Sequence, residues 1–165
     1  MVLFRFQADG IRFRLFRIGL ARRSAAVALA LFAACGDSNV PLDRIDSETG
    51  RWYTAELAAA GSAVFARHCA ECHGDAAQGT ADDWRARLPD GSFPPPPLNG
   101  SAHTWHHPIS VLLQVIDMGG ESLGGQMPGF GQLLRDDEKL AVIAWFQEFW
   151  SDEIYEQWLM MGGAN

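Results

Sequence analysis

Cys69-Ala70-Glu71-Cys72-His73 constrains this chain more than any other stretch. C-x-x-C-H is the spacing of covalent c-type haem attachment. On a helix the two cysteines lie three residues and about 300° apart, so both thiols reach the two vinyl groups along one haem edge. His73 sits about 100° further round and turns its imidazole toward the iron as the proximal ligand. Two other chemistries use a C-x-x-C pair. A redox-active dithiol follows a strand and opens a helix, and no strand-like alternation precedes Cys69. A zinc site needs a second ligand pair at finger spacing, and the chain has no other C-x-x-C.

One haem-sized domain with appendages suits 165 residues, 48% of them hydrophobic and 20% charged. Charge is unevenly distributed. Of 13 basic residues, six (Arg5, Arg12, Arg14, Arg17, Arg22 and Arg23) precede Cys35, where Asp9 is the only acid. Residues 35–165 therefore carry 7 basic against 19 acidic residues, a net charge of −12. Such a surface argues against nucleic acid and favours steering toward a partner with a basic docking patch.

Residues 1–34 read as an export signal, an arginine-rich stretch followed by the apolar segment Ala25–Ala34, too short to span a bilayer as a mature helix. Leu31-Phe32-Ala33-Ala34-Cys35 resembles a bacterial lipobox, with Phe32 where leucine is usual, so Cys35 is the expected lipidation site. The alternative is an ordinary cleavage nearby that leaves Cys35 free. Residues 35–52 are expected to be a lipid-anchored linker, placing the protein outside the cytoplasm on a membrane.

Helical spacing begins near Thr54, an expected N-cap, with Leu57, Gly61, Val64, Phe65 and Cys72 on one face and Gly74 as the stop. Residues 75–100 read as a loop containing Pro94-Pro95-Pro96-Pro97. A second helix is predicted from Pro108, with the stripe Ile109, Leu112, Leu113 and Ile116, ended by Gly119-Gly120. A glycine-rich loop then leads through Met127-Pro128-Gly129-Phe130 to a last strong helix, with Asp136 as its expected N-cap. Val142, Ile143, Trp145, Phe146, Phe149 and Trp150 give that helix broad apolar coverage. Residues 151–165 continue as a helical extension.

With these pieces in order, residues 53–150 resemble a class I cytochrome c domain. Gly61 and Phe65 stand eight and four residues before Cys69, where that family places a small residue and an aromatic. Val142-x-x-Trp145 matches the contact its C-terminal helix makes with them. The resemblance implies an all-α fold, cytochrome c-like, with N- and C-terminal helices crossing around one haem c bound through Cys69 and Cys72. It also implies that the carbonyl of Pro96, in Pro96-x-Leu98-x-Gly100, accepts a hydrogen bond from the proximal imidazole. The four-proline run leaves that register open by one. The stretch from Asp82 to Phe93 is an insert that either covers a haem edge or decorates the surface.

Met127, in Met-Pro-Gly-Phe just before the last helix, resembles that family's methionine loop in order and local context and is the expected sixth ligand, a soft thioether that favours the ferrous state. Its rivals are Met118, read as core, and His103, His106 and His107, read as capping the next helix or bonding the propionates. The resulting expectation is a mono-haem carrier of single electrons between extracytoplasmic redox proteins, not an enzyme. The alternatives are a haem enzyme or gas sensor with an open sixth position, and an accessory subunit that docks through an exposed C-terminal segment bearing Trp158 and Leu159.

Overall fold

The computed structural model describes residues 45–165. The export segment, Cys35 and most of the expected linker lie outside the described residues. Among the described residues five α-helices follow one another: α1 Ala55–His68, α2 Ala70–His73, α3 Ile109–Met118, α4 Asp136–Gln147 and α5 Asp152–Met160. Short 3-10 turns occupy Thr104–His106 and Glu121–Leu123. No strand occurs among the described residues, so the fold is all-α.

The crossing of α1 on α4 is the main packing contact. Thr54 caps α1, its side chain accepting from the Leu57 N–H. At the crossing Gly61 lies against the Ala141 carbonyl, and a Cβ built on it would fall on that oxygen. Close approach of two backbones is possible here only because Gly61 has no side chain. Phe65 and Trp145 fill the adjoining space, ring centroids 4.2 Å apart. Helix α4 buries Leu140, Ala141, Val142, Ile143, Ala144 and Phe146, nearly its full circumference. A helix so covered belongs inside the domain rather than on its surface.

Several local expectations need correction. Asp136 is the first residue of α4 and not its cap. Arg135 holds the cap position in extended geometry, and because its side chain has no acceptor, the Glu138 carboxylate takes the Arg135 N–H at 3.0 Å. Phe149 lies beyond the end of α4 and is 43% exposed. Met118 is 72% exposed at the last position of α3, so it is no core residue.

Helix α5 is the largest departure. Trp158 is fully buried, not exposed, and Tyr155 is buried with it. The Trp158 indole donates to the His107 carbonyl at 2.8 Å, and the Ile109 N–H donates to the Gly163 carbonyl at 2.7 Å. On its other side Tyr155 Oη accepts from the Trp52 N–H at 2.8 Å, while the Trp52 indole donates to the buried Gln147 side chain at 2.7 Å. One apolar cluster thus runs from Trp52 through α1, α3 and α4 to Trp158, across both expected boundaries at 52 and 150.

Candidate haem-attachment site

Cys69 is the hinge between α1 and α2. Its N–H still bonds the Phe65 carbonyl, and its own carbonyl accepts from Cys72 and His73, so the motif follows α1 with a single break at Cys69 (φ −124°). Cys69 is half-buried and Cys72 exposed, and both are free thiols. Burial, with Cys72 adding a smaller effect, pushes the Cys69 thiol up to about 11, so it stays protonated.

His73 is buried, and its Nδ1 lies 3.0 Å from the Pro96 carbonyl. A carbonyl only accepts, so this pairing puts the ring proton on Nδ1 and leaves the Nε2 lone pair available. Burial also lowers the imidazole pKa, against the Pro96 bond that raises it, and a neutral ring is the form that ligates metal.

The register of the proline loop is set from behind. Ala77, fully buried and the one described non-glycine residue with positive φ (54°), accepts from the N–H groups of Leu98 and Asn99 at 2.7 and 3.2 Å. The Gly79 N–H returns to the His73 carbonyl at 2.7 Å, and the Thr80 hydroxyl to that of Cys72 at 3.2 Å. These bonds tie the proline loop and the motif together. No sequence periodicity marks Ala77, whose role depends on backbone geometry alone.

Met127 is half-buried and packs on the same apolar cluster as Cys69. Gly119, at φ +84°, ends α3, and a Cβ there would meet the Met127 carbonyl at 2.5 Å. The Gly120 N–H donates to that carbonyl at 2.9 Å, and the Phe130 N–H to Ile116 at 2.8 Å. The Phe130 ring stands 6.3 Å from that of His68, edge to face, so the methionine loop reaches the residue preceding Cys69.

The three rival histidines pack among themselves and against two tryptophans. His103 stacks on Trp84 with centroids 4.6 Å apart and meets the edge of His107. His106 packs against Trp105. None caps α3, whose N-cap is Pro108 without a side-chain bond. Among the described residues no three His, Cys, Asp or Glu side chains come together as a metal site.

The donor set fits haem c: two free thiols three residues apart at the start of α2, a buried neutral imidazole with its second nitrogen uncommitted, and a thioether on the same core. The family model described as cytochrome c oxidase, cbb3-type, subunit III matches residues 56–146. No curated protein matches the chain, and no solved structure does.

Proposed function

The chain belongs to the family described as cytochrome c oxidase, cbb3-type, subunit III, a domain of haem-based electron transfer, and from that premise we propose that it is a mono-haem electron carrier outside the cytoplasm. Cys69 and Cys72 would hold the haem through two thioethers, and His73 Nε2 and Met127 Sδ would ligate its iron. The observation that carries this reading is the His73–Pro96 contact, which leaves the other ring nitrogen free on the residue that follows Cys72. When bound, the haem supplies a one-electron couple at its iron. The chain's residues do the rest. Pro96 orients the imidazole and increases its donation, and Met127 biases the couple toward the reduced state. The apolar cluster around Phe65, Ile109 and Trp145 limits water at the site.

Upstream, residues 1–34 act as the export signal and Cys35 as the lipidated anchor of a short linker. No described helix is long and apolar enough to cross a membrane. The acidic surface favours redox partners that present a basic patch.

Mass measurement of the denatured protein tests the attachment. The wild type retains the haem mass, and the Cys69→Ala, Cys72→Ala double variant loses it. A protein that releases its haem on denaturation, or that never carries one when matured in a host competent for haem attachment, would overturn the assignment.

A further inference from the structure

The insert between Asp82 and Phe93 contacts the methionine loop at its tip. The Phe93 N–H donates to the Gly124 carbonyl at 2.8 Å. The Gln126 amide donates from one nitrogen to Asp90 Oδ2 at 2.5 Å and to Ser92 Oγ at 2.9 Å. The receiving side is itself ordered. Asp90 Oδ1 accepts from the Ser92 N–H and hydroxyl at 2.9 and 2.7 Å, and Arg87 covers the Phe93 ring at 4.0 Å. Bonds from the Ser92 side chain, then its backbone, hold the Asp90 carboxyl below its ordinary range, so it is an ionised acceptor for Gln126. The insert's other end is fixed by the stack of Trp84 on His103, with Arg85 lying 4.4 Å over the Trp84 ring.

The loop that carries Met127 is therefore held at two places. Its base is tied to the end of α3 through Gly120, Phe130 and Gly131. Its tip, Gly124 to Gln126, has the insert as a second anchor. Gln126 immediately precedes Met127, so freedom at the tip passes directly to the thioether.

We propose that the Asp82–Phe93 insert is a strap that positions Met127, with Gln126, Asp90 and Ser92 as its fastening and the Trp84–His103 stack as its fixed end. The inference rests on Met127 being the sixth ligand. Methionine ligation competes with an open form of the loop, and exogenous ligands bind in proportion to the open fraction. The strap lowers that fraction by restricting the loop before any ligand arrives.

The test is carbon monoxide affinity of the ferrous holoprotein, together with the weak red band of methionine-bound ferric haem. Gln126→Ala removes two exposed hydrogen bonds and should raise the affinity about five- to tenfold and weaken the band. Trp84→Ala, which loosens the far end, should raise the affinity several-fold. A role confined to general stability would shift the thermal midpoint and leave both optical readouts at wild-type values, which would overturn the strap. Should Gln126→Ala fail to accumulate, Ser92→Ala removes one acceptor from Gln126 and the hydroxyl donor to Asp90, and should give an increase of about threefold. A wild-type affinity in that variant is equally fatal. Met127→Ala separates the two layers. If it opens the iron while Gln126→Ala changes nothing, only the strap fails. If Met127→Ala itself changes nothing, the ligand assignment fails.

Discussion

Replacing Gly61 with alanine should destabilise the domain although alanine is the better helix former. In an isolated helix the change would favour folding by about 1 kcal/mol. Here the added methyl would fall on the Ala141 carbonyl, with the Trp145 Cβ only 2.9 Å away. The obstruction is backbone and cannot rotate aside, so α1 and α4 must separate, and the Phe65–Trp145 ring pair at 4.2 Å loosens with them. Overpacking of this kind costs about 1–3 kcal/mol, and a blocked backbone belongs at the upper end. Subtracting the propensity gain leaves a net loss of about 2 kcal/mol, or roughly 6–10 °C in the midpoint for a domain of this size. Guanidinium titration of the holoprotein, followed by far-ultraviolet circular dichroism, measures it. Ala60→Gly, one residue away and exposed, is the counterpart, with an expected loss of about 1 kcal/mol from propensity alone. A Gly61→Ala protein as stable as wild type, or more so, would refute the close crossing.

Tyr53 links stability to alkaline pH. Burial, then the nearby Glu148 carboxylate, raises its phenol well above the ordinary value of 10.0, and its buried hydroxyl has no hydrogen-bond partner among the described residues. The folded state thus keeps a proton that the unfolded state loses. Its contribution is intact below pH 10 and falls by about 1.4 kcal/mol per unit as pH rises above it. Tyr53→Phe should leave neutral stability equal or slightly higher and should flatten the decline between pH 10 and 11 in denaturant titrations. An unchanged slope would remove Tyr53 from the account. For the anchor, Cys35→Ser should move the protein from the membrane to the soluble fraction, whereas continued membrane binding by the purified variant would point to a different attachment.

What could be read from the sequence followed from local chemistry. The motif at Cys69–His73, the cap at Thr54 and the stops at Gly74 and Gly119 each depend on a residue and its near neighbours, and each was visible along the chain. The α1–α4 crossing was legible because Gly61, Phe65 and Trp145 keep a recognisable spacing from the motif and from the last helix. Long-range partnerships were hidden. Trp158 reads as an exposed aromatic on a terminal helix, yet it packs on Trp150 and Tyr155, and its indole N–H is satisfied by the His107 carbonyl, 51 residues away. Gln147, a polar residue, is fully buried and accepts from the Trp52 indole, 95 residues away. The strap is the same case, since Gln126 and Asp90 lie 36 residues apart in two loops without periodicity. Met118 misled for the opposite reason: it extends the apolar stripe of α3 to a last turn that projects into solvent.

The central claim, one haem held by His73 and Met127, is tested most directly by the visible spectrum of the purified protein, oxidised, then reduced, then exposed to carbon monoxide. The account predicts a low-spin c-type spectrum with the weak red band in the ferric state and little response to the gas. A high-spin ferric spectrum, or ready gas binding by the wild type, would contradict it and make a haem enzyme or sensor the better description.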